Sequence, residues 1–133
     1  MRGFFILYFT MQRFFLSFAA LSGLSSVALG AFAAHGLKHS LTAESLVIFH
    51  TGAEYQMYHS LALLLTALLV ERNPRSRALR LAGGAFLAGI LLFSGSLYAL
   101  ALGAAKQWGI ITPFGGLSFL LGWTALVAYG IRR

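Results

Sequence analysis

The chain has 133 residues, of which 59% are hydrophobic and only 10% are charged, and its mean hydropathy is +0.80. Soluble domains carry roughly 25% charged residues, so the composition excludes a water-soluble domain, and the absence of cysteine excludes disulfides, thiolate metal sites and a thiol nucleophile. The net charge of +7 would suit a nucleic-acid ligand, but the basic residues lie between long apolar runs, as they do in membrane proteins.

Four apolar runs follow one another along the chain, and each is long enough to cross a bilayer. A hydrocarbon core about 30 Å thick needs roughly 20 residues of helix. The predicted spans are residues 14–34, 52–70, 81–103 and 110–131. Strands of a membrane barrel would alternate over about ten residues, which these unbroken runs exclude. The predicted fold class is therefore all-α, a bundle of four transmembrane helices in one domain at residues 11–133.

The first run raises two questions about the mature N-terminus. Residues 1–10 form a hydrophobic extension, and Met11 is a second candidate for the start of translation. The small residues Ala31 and Ala33 resemble a signal-peptidase site, but the apolar regions of signal peptides run for about 7–15 residues. The run at 14–34 is longer, so we expect the first span to be retained.

Local signals predict where two of the spans begin or end. Thr42 followed by Glu44 predicts a helix that begins near Ala43 and leads into the second span. Asn73-Pro74 predicts the end of that span, because proline cannot continue a helix. Thr112-Pro113 predicts an N-cap with proline at the first helical position of the fourth span.

The basic residues orient the spans. Eight of the ten lysines and arginines fall before the first span, in the second connection or at the C-terminus, and only Lys38 and Lys106 lie in the other two connections. Because cytoplasmic loops carry the excess of basic residues, both termini are predicted to be cytoplasmic. The same charges attract anionic lipid, and no nucleic-acid partner is expected. The eight residues are Arg2, Arg13, Arg72, Arg75, Arg77, Arg80, Arg132 and Arg133.

Ionisable side chains inside the second span are the strongest functional signal. Such a group at the bilayer centre costs about 2.5–3.5 kcal/mol and usually faces a partner or a water-filled cavity. Glu54 and His59 lie in the outer half of this span, at the level of polar groups from the neighbouring spans. We therefore predict one polar cluster drawn from all four spans. Its members are His35, Glu54, Tyr55, His59, Ser94, Ser96, Tyr98 and Thr112.

Some hydroxyl groups within the spans lie outside this cluster, and each can bond the backbone of its own helix. They belong to Ser17, Ser22, Ser25, Ser26, Thr66, Ser118 and Thr124.

Three interpretations of Glu54 and His59 remain open. The two residues are about 140° apart around a helix, so they could flank one cleft as a proton relay or ligand anchor. A hydrogen-bond clamp between helices is favoured, because buried polar groups in lipid must be satisfied. In the third interpretation Glu54 lies at the level of the lipid headgroups and is solvated. The candidate clamp partners of Glu54 are His35, Tyr98 and Thr112.

Metal, haem and hydrolase sites have weaker support. Imidazole and carboxylate suit zinc or iron, and two histidines could ligate haem. The spacing of the available groups nevertheless matches no metal signature, and Ser94-Gly-Ser96 has no paired general base. We therefore expect no catalytic residue, no metal and no cofactor. The metal ligands considered are His35, His50, Glu54 and His59.

Four motifs, in order along the chain, carry a resemblance to a known family. They are Ala28–Gly36, Thr51–His59, Phe93–Tyr98 and Thr112–Gly116, the last followed by Gly122-Trp123. Together they resemble the small membrane-protein family known as domain of unknown function 423, which includes the transmembrane protein 256 group. The resemblance covers Met11 to Arg133. It implies a four-helix inner-membrane protein with an uncleaved first span, and it supplies no established activity or catalytic residues.

These observations predict a multi-pass plasma-membrane protein that is not an enzyme. The expected role is that of a structural or accessory component, with the lipid bilayer and either a membrane-protein partner or further copies of itself as its partners. The alternative is a small oligomeric transporter or proton-linked permease that uses Glu54 and His59.

Overall fold

Long helices account for nearly all of the chain in the computed structural model, which describes residues 1–132. Arg133, one of the basic residues predicted to be cytoplasmic, lies outside the described residues. No strand occurs within residues 1–132, so the all-α prediction is confirmed. The helices are α1 (Arg2–His35), α2 (Ala43–Arg72), α3 (Arg77–Gly89), α4 (Gly95–Ala101) and α5 (Ile111–Ile131).

Three helical stretches in this part of the chain are long and apolar enough to cross a membrane. They are Arg2–His35, Arg77–Ala101 and Lys106–Ile131. The second helix is 30 residues long but less apolar, because Glu54, Gln56 and His59 lie within it. An apolar multi-helix architecture is therefore confirmed, while the fourth span and the cytoplasmic termini stay predictions.

Short irregular turns connect or interrupt the helices. A 3₁₀ turn at Leu37–His39 follows α1, and another at Lys106–Ile110 leads into α5. Between α3 and α4 the chain forms a π-helical turn at Ile90–Ser94 without leaving the helical path. Such turns widen a helix locally and are frequent at functional sites.

The predicted ends of the second helix are confirmed. Thr42 caps its start, where the Thr42 hydroxyl oxygen accepts a hydrogen bond from the Ser45 backbone N–H at 3.1 Å, and the helix ends at Arg72, before Asn73-Pro74. It runs without a break from its cap. The helix predicted to begin near Ala43 and the second span are therefore one element.

The predicted start of the last helix is wrong by a few residues. The helix begins at Ile111, after the 3₁₀ turn, so Thr112 and Pro113 lie inside its first turn rather than at its cap. Proline is tolerated there because the first backbone N–H groups of a helix have no intrahelical acceptor. The Thr112 hydroxyl is therefore free to bond to another helix.

Antiparallel neighbours build the bundle, with α1 against α2 and α3 against α5. The second helix also packs against α3 and α4 and so lies between the two pairs. The main apolar core forms along this helix, where Leu63, Ala67 and Val70 meet Leu79 and Phe86 with almost no exposed surface.

Gly115 marks a close approach between two backbones of the bundle. A Cβ atom added at Gly115 would collide with the backbone N and Cα of Phe93 in the π-helical turn. Small residues of this kind let membrane helices pack closely. The contact fixes the height of α5 relative to α4, and Gly116 beside it has room for a side chain.

Candidate functional site

Gln56 joins three helices from the middle of α2. Its side chain is 6% exposed, and its Nε2 group donates to the Ser22 carbonyl at 2.9 Å and to the Ser25 hydroxyl at 2.8 Å on α1. Its Oε1 atom accepts from the Tyr98 hydroxyl of α4 at 2.5 Å. Both amide protons and one acceptor position are therefore used between helices.

Serine side chains extend this contact along α1 and α2. The Ser26 hydroxyl donates to the Ala53 carbonyl at 2.7 Å. The hydroxyl oxygens of Ser22 and Ser60 lie 2.7 Å apart, and the Ser60 hydroxyl also lies 2.6 Å from the Gln56 carbonyl of its own helix. These bonds join the facing sides of α1 and α2.

Only part of the remaining set of hydroxyls bonds its own helices. Ser22 and Ser26 bond across to α2, and the Ser118 hydroxyl donates from α5 to the Ala85 carbonyl of α3 at 2.7 Å. Thr66 and Thr124 do bond carbonyls of their own helices. Where two helices pack closely, a backbone carbonyl of the neighbouring helix competes with a carbonyl of the residue's own helix as the acceptor for its hydroxyl.

Two further bonds between helices lie towards the end of the bundle where α1 and α4 finish. The Ser94 hydroxyl donates to the Gly52 carbonyl of α2 at 2.7 Å. The hydroxyl oxygens of Ser96 and Thr112 lie 2.6 Å apart and join α4 to α5. Ser94, Ser96 and Thr112 are all members of the predicted cluster. The Ser94 bond is made to α2, however, whereas the bond between Ser96 and Thr112 joins α4 to α5.

His59 lies in an aromatic cage between α2 and α5. Its ring stacks on Phe119 with centroids 3.4 Å apart and planes inclined by 7°, and its edge meets Phe86 and Trp123. The side chain is buried. An imidazole is thus placed where a large apolar side chain would otherwise fill the core.

Both ring nitrogens of His59 have partners. The indole Nε1–H of Trp123 donates to Nε2 at 3.2 Å, and Nδ1 lies 2.7 Å from the Tyr55 carbonyl oxygen. Because an indole N–H can only donate, the network assigns an acceptor role to Nε2 and the proton to Nδ1. The arrangement fits a neutral imidazole that links α2 to α5.

Glu54 lies apart from these contacts, on the exposed surface of α2. His35, at the end of α1, is also exposed. Tyr98 and Thr112, two of the three candidate partners of Glu54, bond instead to Gln56 and Ser96. The predicted pairing of Glu54 with these groups is therefore wrong, because its side chain points away from the interior that they occupy.

The predicted cluster thus separates into several parts. Tyr98, Ser94 and His59 each take part in a different hydrogen bond between helices, and Ser96 and Thr112 share a fourth. Tyr55 is 40% exposed and packs its ring on Phe93, with centroids 5.0 Å apart. Glu54 and His59 do not share one cleft.

The buried polar side chains of residues 1–132 are engaged in hydrogen bonds. No group of three or more His, Asp or Glu side chains there could hold a metal ion, so the four metal ligands considered are not brought together. Every buried side-chain nitrogen and oxygen described has a hydrogen-bond partner. The hydrogen bonds between helices hold those helices in register.

Sequence reasoning missed three buried polar residues as members of the site, namely Gln56, Ser22 and Ser60. It also missed Trp123, the 46% exposed residue whose indole N–H bonds His59. A usable signal was present, because Ser22 and Ser26 are four residues apart on one apolar helix, and Gln56 and Ser60 are four apart on the next. Polar residues at this spacing share a helix face. Two such faces on consecutive antiparallel helices predict a hydrogen-bonded seam.

Comparisons with known proteins agree with this architecture. The family model described as "Protein of unknown function (DUF423)" matches residues 29–116. A UPF0382 membrane protein of Haemophilus influenzae is 52% identical over 120 residues, which is 90% of this chain and 94% of the relative. The UPF0382 inner membrane protein YgdD of Escherichia coli K12 is 46% identical over 91% of this chain and 92% of its own length.

A relative of lower identity comes from a third organism. The UPF0382 membrane protein YwdK of Bacillus subtilis is 38% identical over 91% of this chain and 98% of its own length. No solved structure matches the chain.

Proposed function

Because the chain belongs to the DUF423 family and is a multi-pass protein of the inner (plasma) membrane, we propose that it is a non-enzymatic structural component of that membrane that associates with a second copy of itself. The observation that carries this proposal is the position of Glu54. A carboxylate lies on the outer face of a helix whose inner face is fully hydrogen-bonded.

The proposal includes four spans and cytoplasmic termini. At 1.5 Å per residue, the 30 residues of α2 extend over about 45 Å, which exceeds the bilayer core of about 30 Å. Its buried polar side chains are bonded to α1, α4 and α5, which lowers the cost of placing them in lipid. The arginines around the α2–α3 turn favour a cytoplasmic position for that turn.

Cysteine labelling tests this topology, since the chain has no cysteine of its own. In intact cells, a membrane-impermeant maleimide is expected to label Ser40→Cys, in the first connection, and to leave Ser76→Cys unlabelled until the membrane is opened. Both residues lie in short connections between helices. Labelling of Ser76→Cys from outside would contradict the orientation.

The interior supports a structural role better than a transport role. Gln56 donates both amide protons to hydrogen bonds between helices. Both ring nitrogens of His59 also have hydrogen-bond partners. A proton relay needs a group that can change partners as it gains and loses its proton. The transporter alternative requires Glu54 and His59 to act together, and their separation gives it no support.

An exposed stripe on α2 is the surface left for association. It consists of residues spaced three or four apart, and we call it the α2 stripe. In its outer part, His50, Glu54 and Tyr58 follow one another at intervals of four residues; in its inner part the residues are leucines. The members are Val47, His50, Glu54, Tyr58, Leu61, Leu65 and Leu68.

Glu54 lies too deep in the bundle to be solvated at the headgroups. Gly52, half a turn from it, bonds Ser94, which lies two helical turns or about 10 Å before the end of α4 at Ala101. Ala53 bonds Ser26, which lies still further from the end of α1 at His35. A carboxylate exposed at that depth is expected to have a polar partner.

A second copy of the chain supplies such partners. Two α2 helices packed in parallel about a twofold axis bring the same residues together from both sides. His50 and Tyr58 lie one turn above and one turn below Glu54, so each carboxylate has a hydrogen-bond donor of the other copy within one turn. The exposed faces of α1 and α5 are mostly apolar and suit lipid.

Disulfide cross-linking in native membranes tests the association. Leu65→Cys, on the α2 stripe, is expected to form covalent dimers on mild oxidation, because a close pair of helices brings equivalent positions together. Val127→Cys, on α5, is the matched control, since Leu65 and Val127 are both 60% exposed. The proposal is wrong if Val127→Cys cross-links and Leu65→Cys does not, or if neither does.

A further inference from the structure

An open hollow of about 470 Å³ lies at the end of the bundle where α2 and α5 finish and α3 begins. Its walls come from three segments, namely the turn after α2, the first turn of α3 and the end of α5. Two of these segments are joined directly, because the Asn73 Nδ2 group donates to the Tyr129 hydroxyl at 2.7 Å. The hollow has the volume of a typical ligand pocket, about 300–1,000 Å³, and shares no residue with the α2 stripe.

The walls of this hollow are strongly basic. Arg75, Arg77 and Arg132 border it, and Arg72 borders an adjoining hollow that also includes Arg75. No acidic side chain among residues 1–132 lines either one. Glu71, next to Arg72 in the sequence, instead borders a separate cavity formed with α1. Because clustered charges of one sign attract the opposite charge into a concave site, the hollow favours an anionic ligand.

The guanidinium groups at the hollow have donors to spare. Arg75 lies over the ring of Phe4, with 5.6 Å between its Cζ atom and the ring centroid. Within residues 1–132, the side chains of Arg72, Arg77 and Arg132 form no hydrogen bond, salt bridge or ring contact. A guanidinium presents five N–H donors in a planar fork that matches two oxygens of a phosphate. These arginines therefore bring unused donors to the border of a hollow that can hold a phosphate group.

The hollow lies where the lipid-facing surface of the bundle ends. Leu81, one turn beyond Arg77 on α3, is 50% exposed, and Val127, in the last two turns of α5, is exposed as well. Exposed apolar side chains of a membrane bundle contact acyl chains, whereas arginines at helix ends reach the headgroup region. A ligand in the hollow is therefore next to the phosphates of the surrounding lipid.

We propose that this hollow binds the phosphate group of an anionic phospholipid, with Arg77 and Arg132 as its ligands. The two arginines come from α3 and from the end of α5, so a bound phosphate links these segments. A zwitterionic lipid carries an ammonium group besides its phosphate, and no acidic side chain of residues 1–132 lines the hollow to pair with that group. A phosphoglycerol head group has only the negative charge and hydroxyls, and it suits these walls better. This inference is independent of the proposed association of two copies.

Native mass spectrometry of the full chain in detergent micelles tests the site. The probe is dioleoylphosphatidylglycerol, and dioleoylphosphatidylethanolamine is the comparison. We expect the first phosphatidylglycerol to bind about tenfold more tightly than phosphatidylethanolamine, and Arg77→Gln together with Arg132→Gln to remove most of that preference. Both arginines are exposed, so the double variant is expected to fold; Arg132→Gln alone, with an expected loss of about threefold, serves if it does not. Equal binding of the two lipids by the wild-type chain would overturn the proposal.

Arg2→Gln together with Arg13→Gln is the matched control. This pair removes the same charge from α1, and neither residue borders the hollow. A general attraction between basic residues and anionic lipid would weaken binding equally in both pairs, because their net charges are the same. The site predicts that the control pair binds phosphatidylglycerol within about twofold of the wild type, and an equal loss in both pairs would contradict it.

A soluble competitor distinguishes a lipid phosphate from a free phosphate ester. Glycerol 3-phosphate has the same phosphate and glycerol groups without acyl chains, so an equimolar amount is expected not to displace phosphatidylglycerol from the wild-type chain. Displacement by equimolar glycerol 3-phosphate would assign the hollow to a soluble phosphate ester and overturn its assignment to lipid.

Discussion

Replacing Gln56 with leucine is expected to destabilise the bundle by about 3–5 kcal/mol. Three hydrogen bonds between helices disappear, to Ser22, Ser25 and Tyr98. Such bonds contribute about 0.6 kcal/mol each on average in membrane proteins, and a buried donor left without a partner, as the Tyr98 hydroxyl would be, costs about 1–3 kcal/mol more. The free energy of unfolding in bicelles and the abundance in the membrane measure the effect.

The neighbour of Gln56 supplies the control. Met57 is only partly buried and bonds nothing through its side chain, so Met57→Leu is expected to change the stability by less than about 1 kcal/mol, as volume-conserving apolar exchanges usually do. Tyr98→Phe removes one of the three bonds and is expected to fall between the two. If Gln56→Leu were as stable as Met57→Leu, the hydrogen-bonded seam would not be what holds α1 and α4 to α2.

Substitutions of His59 are expected to separate a structural from a chemical role. His59→Ala removes the ring that stacks on Phe119 and leaves a cavity, and truncations of large buried side chains cost about 3–5 kcal/mol. His59→Phe keeps the stack and loses only the bonds to Trp123 and Tyr55, for a loss near 1 kcal/mol. Thermal unfolding of the two purified variants is the measurement.

The same pair of variants tests the proton-relay interpretation. A relay would fail equally with phenylalanine and with alanine, because neither side chain carries a proton, and its loss would leave protein abundance normal. The cage around His59 predicts the opposite pattern, in which phenylalanine restores most of the abundance that alanine loses. Equal abundance of both variants and the wild type would contradict a structural role for this ring.

Much of the helical architecture follows from the sequence alone. Long apolar runs, the Thr42 cap and Asn73-Pro74 predict where helices lie and where α2 begins and ends, because these signals act within one helical turn. The start of α5 at Ile111 was harder to predict, since the 3₁₀ turn at Lys106–Ile110 continues directly into it.

The candidate site was less predictable. Helical periodicity gives the angle between Glu54 and His59, but it does not say which of the two faces the interior. That choice depends on neighbours distant in sequence, such as Trp123 and Ser22. Gln56 carries no charge, so the cost of burying an ionisable group does not single it out in the sequence. Its amide nevertheless bonds three partners.

Because Glu54 faces outward, the polar residues of α2 fall into two groups with different expected roles. Gln56, Ser60 and His59 hold the bundle together, whereas His50, Glu54 and Tyr58 lie on the opposite, exposed side. One helix thus has a polar interior face and a polar exterior face at nearly the same depth. The first is expected to govern stability and the second to govern association.

Association through the α2 stripe is tested most directly by comparing dimer formation by Leu65→Cys with and without Glu54→Gln in native membranes. Glutamine keeps the size of the side chain and removes its charge, so the bundle is expected to stay folded. We predict that the cross-linked fraction falls severalfold in Glu54→Gln while abundance stays within about twofold of the parent, because the exposed carboxylate adds little to the interior. An unchanged cross-linked fraction would contradict the claim that the α2 stripe, through Glu54, joins two copies of the protein.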